Sequence, residues 1–145
     1  MPCNKFFNSN YPIICLPMNG VSDINLALAV SNAGGFPSLA LQMYVSDGKI
    51  DWELLHQDLD TFKIRTGGNN LLFSIREDML HVPGVLDILN QVSHCELLGR
   101  PELTLKQHIK NLENIKKRGC KILLKTPSFI ENPSLYDGLI FKGKN

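Results

Sequence analysis

The chain has 145 residues, 43% of them apolar and 20% charged, which suits one globular domain with a real core and excludes a disordered tail. Fifteen basic side chains stand against fourteen acidic ones, a formal charge of +1, so the overall charge argues against a nucleic acid as partner. No apolar run approaches the roughly 18 residues of a membrane span, and residues 1–10 lack the basic start and apolar core of a signal peptide. Cys3, Cys15, Cys95 and Cys120 form no C-x-x-C pair and no metal-like spacing with the histidines. Reduced thiols in a cytoplasmic protein are the expectation, with no metal site.

In chain order, residues 1–10 read as a lead-in segment. Ile13-Ile14-Cys15-Leu16 is a continuous apolar run, the pattern of a strand buried on both faces in a parallel sheet. It breaks at Pro17-Met18-Asn19-Gly20. A helix follows with Ser22 as predicted N-cap and Ile24, Ala27, Leu28 and Ser31 on one stripe, ending at the left-handed Gly34. Ser38-Leu39-Ala40-Leu41 is the second predicted strand, and residues 43–49 are a predicted loop. Asp51 caps a second helix whose stripe is Trp52, Leu55, Leu59 and Phe62.

After the turn at Thr66-Gly67-Gly68-Asn69, residues 71–75 form a third strand with Ser74 at its end. Val85, Leu86, Ile88 and Leu89 make a short helix with Pro83 in its first turn. Residues 95–98 are the fourth strand, closed by Gly99-Arg100-Pro101. The next helix carries Leu105, Ile109, Leu112 and Ile115 on one face and ends in a basic turn at Gly119. Residues 122–124 and 138–141 are the fifth and sixth strands, and Lys142 and Gly143 follow directly.

Strand–helix alternation of this regularity predicts an α/β fold with a parallel sheet, either open and doubly wound or a (β/α)8 barrel. No G-x-G-x-x-G follows the first strand, so a dinucleotide fold lacks its signature. A barrel typically needs about 250 residues. The expectation is therefore a single partial barrel domain over residues 1–145, about six of eight strands, interrupted after the sixth.

Pro12-Ile13-Ile14, Pro17-Met18, Val21-Ser22 and Ala29-Val30-Ser31-Asn32-Ala33-Gly34-Gly35 resemble the opening of the nitronate monooxygenase (2-nitropropane dioxygenase-like) flavoproteins. Phe36-Pro37-Ser38-Leu39-Ala40-Leu41, Leu98-Gly99-Arg100-Pro101 and Thr126-Pro127-Ser128 bring it closer to the version associated with polyketide and polyunsaturated fatty-acid synthases. The resemblance covers most of residues 12–143. It implies an FMN-binding TIM barrel acting as an oxidoreductase, of monooxygenase or enoyl-reductase-like type, on a small-molecule substrate. It places the backbone around Pro17 and Met18 along the flavin ring, with Asn19 and Gly20 in the same cofactor-binding loop, Ser74 against FMN, and Lys142 near the flavin or its phosphate. Gly143 would allow close backbone approach. Read from the residues alone, Arg100 before Pro101 either takes a phosphate or carboxylate or points into solvent.

Relatives that oxidise nitronates carry a catalytic His where this chain has Gly99-Arg100-Pro101, so the resemblance favours an enoyl-reductase-like role. His94 is at the wrong end of its strand, His56 and His108 sit on helices, and His81 is the remaining candidate base. The loops after strands seven and eight usually hold the FMN phosphate, so the chain alone is expected to bind FMN weakly or not at all. A homo-oligomer or a second chain would complete the barrel. The alternative function is a catalytically silent α/β binding or assembly module.

Overall fold

The structure, a computed structural model, describes residues 2–126 and 132–140. The chain divides into two compact units, residues 1–73 and 74–145, with the division inside one strand. The first unit opens with α1 (Pro2–Phe7), so the expected lead-in is a helix followed by a tethered segment. The Phe7 ring lies 4.9 Å from the Phe36 ring, and Tyr11 N–H donates to Gly34 O.

The apolar run at residues 13–16 is not the buried strand expected. It makes one parallel bridge, Ile14 to Phe36, through Phe36 N–H to Ile13 O (2.8 Å) and Cys15 N–H to Phe36 O (3.0 Å). Ile13 is 64% exposed, and the segment's hydrogen bonds among the described residues run to Phe36 and Ser38. A strand becomes fully buried when both edges and both faces are covered.

Next is α2 (Ile24–Asn32). Its cap is Asp23, whose carboxylate accepts from Leu26 N–H at 2.8 Å, and not Ser22. Ser22 Oγ accepts from Met18 N–H instead, at 2.7 Å. Gly34 ends the helix at φ +83°, as its position in the sequence predicts. β1 (Ser38–Ala40) is buried throughout.

Residues 41–50 correct the predicted loop. A 3-10 turn over Leu41–Tyr44 leads into an antiparallel hairpin, β2 (Val45–Ser46) and β3 (Lys49–Ile50). Asp47 and Gly48 both have positive φ, +50° and +73°. Asp-Gly is a favoured pair for a two-residue turn of this kind, so the signal was in the sequence. α3 (Trp52–Thr66) matches expectation, with Asp51 as cap and Gly67 in the left-handed position. Its buried Leu55, Leu59 and Phe62 contribute about 1.5–3 kcal/mol each by leaving water.

β4 (Leu72–Arg76) carries the chain into the second unit. Ser74 is the middle residue of this strand, not its end, and is 4% exposed. A 3-10 turn, Glu77–Met79, precedes the single turn of α4 (Val85–Ile88), and Pro83 lies outside that helix, before its left-handed cap Gly84. β5 (His94–Leu98) follows, then α5 (Leu105–Lys116) and β6 (Lys121–Lys125). β7 (Gly138–Leu139) is the described part of the sixth predicted strand.

The sheet is parallel and five-stranded, in the order β1-β4-β5-β6-β7. The β5–β6 register runs from His94 opposite Lys121 to Leu98 opposite Lys125, and β6–β7 pairs Leu123 with Gly138. Five of the six predicted strands are therefore in the sheet, and the segment at residues 13–16 adds only its bridge to Phe36. Almost every residue of β4 and β5 is buried, as parallel strands covered on both faces require.

The stripe of α5 is rotated from the one expected. Leu105 is 60% exposed, whereas His108, Leu112 and Ile115 are buried at i, i+4, i+7. No described helix is long and apolar enough to cross a membrane.

Candidate functional site

In the first unit, the turn at residues 17–20 follows the parallel bridge and leads into α2. Val21 and Ser22 N–H groups fold back onto Met18 O at 3.2 and 2.9 Å. The amides of Asn19 and Gly20 have no intramolecular partner among the described residues. Met18 is 50% exposed. Gly20 has φ +73° and open space where a Cβ would stand. The turn therefore offers two adjacent backbone donors and an unobstructed surface beside a soft thioether, a surface suited to the polar edge of a flat ligand.

In the second unit the structure joins Arg100 and His108 to Glu77 and Asn111, a grouping that the sequence alone does not indicate. Glu77, the first residue after β4, is 2% exposed. Its Oε2 accepts from Arg100 N–H at 3.2 Å and lies 2.7 Å from His108 Nδ1. Its Oε1 accepts from Asn111 Nδ2 at 3.0 Å. With Glu77 as carboxylate, His108 donates from Nδ1. The clamp ties the segment after β4, the segment after β5 and the first turns of α5.

Neighbouring charges are paired as well. Arg76 Nε donates to Asp78 Oδ1 at 3.1 Å and its Nη2 reaches Oδ2. Burial alone pushes the Asp78 carboxyl up, but the Arg76 hydrogen bond and charge outweigh it and hold the group below its ordinary range. Arg100 Nε donates to Glu102 Oε1 at 2.8 Å. A hydrogen bond from its own backbone, and then Arg100, lower the Glu102 carboxyl.

Arg100 is therefore engaged twice, by its amide to Glu77 and by its side chain to Glu102. Ser74, mid-strand and buried, does not stand at a strand end. His81 is exposed, on the wall of a cavity described below. Pro17, Met18, Asn19 and Gly20 belong to the first unit, and Ser74, His81 and Arg100 to the second. Lys142 and Gly143 lie outside the described residues.

The thiols behave as small buried hydrophobes. Cys95 is fully buried, and burial pushes its thiol well up. Burial raises Cys120 to about 11, and its Sγ contacts Leu89 O at 2.8 Å. Cys15 is half-buried, and all three are free. Among the described residues no cluster of His, Cys, Asp and Glu is arranged to hold a metal ion.

The His108 signal was available as spacing. Counting back from Leu112 and Ile115 by helical steps lands on residue 108, so a histidine occupies a core position of α5 and requires a partner. The identity of that partner, 31 residues earlier, was not available from spacing. A scan of the chain against protein-family models finds no match, and a search of curated proteins finds none.

Proposed function

We infer that these residues are part of an FMN-dependent oxidoreductase of nitronate monooxygenase or enoyl-reductase-like type, their strand–helix units being units of a (β/α)8 barrel. The observation that carries this reading is the open turn at residues 17–20, which follows a segment joined by one parallel bridge to Phe36, in a chain whose sheet is parallel. In a barrel, the segments after strands carry the chemistry. The amides of Asn19 and Gly20, which have no partner among the described residues, and the empty Cβ position at Gly20 fit the polar edge of a flavin ring.

The phosphate end finds less support among the described residues, since the Arg100 guanidinium is held by Glu102. Weak FMN binding by the chain alone is part of this reading. FMN, when bound, supplies hydride transfer. The chain's own part is to orient the ring through backbone donors at residues 19 and 20. The segment after β5 carries Gly99-Arg100-Pro101 and no imidazole, which favours reductase-type chemistry over nitronate oxidation.

The test is a titration of FMN with the full chain, followed by flavin fluorescence. The expected result is saturable quenching that Gly20→Val weakens, with no yellow chromophore retained through gel filtration. Absence of quenching at millimolar protein overturns the reading. It would then favour a catalytically silent α/β module, which draws on the mutual pairing of Arg76 with Asp78, Arg100 with Glu102, and Glu77 with His108.

A further inference from the structure

The second unit contains a cavity of about 510 Å³ between the segment after β4 and α5. That volume is in the range of small-molecule sites. On the α5 side the wall is a polar stripe at i, i+3, i+4, i+7: Gln107, Lys110, Asn111 and Asn114. This stripe lies beside the buried one that carries His108, Leu112 and Ile115. Leu80, Leu86 and Leu103 make up half of the remaining wall, with Glu77, Asp78 and His81 as the other half.

The charges of the cavity are unequal in their freedom. Its two acids are already engaged, Asp78 by Arg76 and Glu77 by His108, Asn111 and the Arg100 amide. The side chains of Lys110, His81 and Asn114 have no hydrogen-bond or ion-pair partner among the described residues. Gln107 spends Oε1 on Thr104 N–H and keeps its N–H donors. The cavity thus combines an apolar wall with spare donors and one spare cation. The Glu77 clamp holds Asn111, and with it the turn of α5 that carries Lys110.

We propose that this cavity binds a small organic carboxylate with an apolar tail, the carboxylate taken by Lys110 with the carboxamide donors of α5 and the tail by the leucine wall. An ammonium gives an anion a charge-assisted hydrogen bond, and each methylene that leaves water adds to affinity. The site is independent of the turn at residues 17–20 and of the flavin reading. A fully hydrophilic anion such as inorganic phosphate would leave the leucines wet. A neutral amide of the same length would leave Lys110 unused.

The experiment titrates the full chain with butyrate, hexanoate, octanoate, acetate, inorganic phosphate and hexanamide, followed by backbone amide shifts. Hexanoate is expected to bind saturably, with a Kd on the order of 1–10 mM for so few atoms. Shifts should centre on residues 80–81, 103 and 107–114, and affinity should rise at least about twofold per added methylene. Lys110→Gln should weaken hexanoate about fivefold, the upper range for an exposed ion pair. Lys106→Gln, on the same helix but outside the cavity wall, should leave the affinity unchanged and so controls for net charge. The proposal is overturned if hexanoate produces no localised shifts, if acetate, phosphate or hexanamide bind as well, or if the two lysine variants behave alike.

Discussion

His108 Nδ1 stands 2.7 Å from Glu77 Oε2, and both side chains are buried, one on α5 and one just after β4. Asn111 and the Arg100 amide complete the carboxylate's partners. Glu77→Ala removes the acceptor of three donors at once, the buried His108 Nδ1 and the half-buried Asn111 Nδ2 and Arg100 N–H, and should destabilise the second unit by about 3 kcal/mol, the scale of breaking a buried pair from one side. Denaturant unfolding followed by circular dichroism measures it. A cost below about 1 kcal/mol would show that the clamp is not a structural tie.

The Asp78 carboxyl is held low by Arg76, so it stabilises the folded state above the ordinary carboxylate pKa of about 3.9. That contribution is lost as pH falls through the lower folded value, because the folded state then binds the proton less readily than the unfolded one. Asp78→Asn should be less stable than the parent at pH 6, and the gap should close as pH drops below about 4. Stability curves of the two proteins against pH decide it. A constant gap would contradict the pairing.

Tyr44 is buried and its hydroxyl donates to Asp58 Oδ2 at 2.8 Å. Burial raises the Asp58 carboxyl, and the Tyr44 hydrogen bond partly offsets the rise. A raised folded pKa means that ionised Asp58 costs stability, a cost relieved as pH falls through that value. Tyr44→Phe removes the offsetting bond, so the Asp58 midpoint in a carboxyl NMR titration should move further up. A downward move would refute the assignment. The same substitution should cost about 1 kcal/mol at neutral pH.

Gly34 and Gly67 both adopt left-handed backbone, φ +83° and +76°, at the ends of α2 and α3. Alanine is strained at either position by about 1 kcal/mol. At Gly67 the space beyond is open, whereas at Gly34 a Cβ would stand 3.0 Å from Asn10 Cβ and 3.2 Å from Tyr11 Cδ2. Gly34→Ala should therefore lower the thermal midpoint more than Gly67→Ala. Equal shifts would show that the segment at residues 10–11 yields freely.

Much of the fold was legible wherever one local signal settled the outcome. Asp51 before Trp52, Leu55, Leu59 and Phe62 marked α3 with its cap, and Leu71 to Ile75 marked β4 within one residue. The hairpin at Asp47-Gly48 was also legible, and was missed because the apolar pattern around it is too short to flag a strand. Ser22 and Asp23 are both sound caps by type. The choice between them turned on Ser22 accepting from Met18 N–H, a contact set by how the preceding turn closes.

The candidate site was legible in part. The open turn at residues 17–20 stands where a break after an apolar run placed it. The cavity and the Glu77 clamp were not, since their members come from three segments between residues 77 and 114. Composition, alternation of apolar runs with helical stripes, and glycine and cap positions determined by themselves that this is an α/β chain with a parallel sheet. Those signals are local, written within a few turns or strand residues. Tertiary structure alone decided that residues 13–16 keep an exposed side, that His108 rather than Leu105 faces inward, and that Glu77 has three donors to meet. These outcomes depend on which distant segments cover an edge or share a buried charge, and periodicity along the chain carries no information about that.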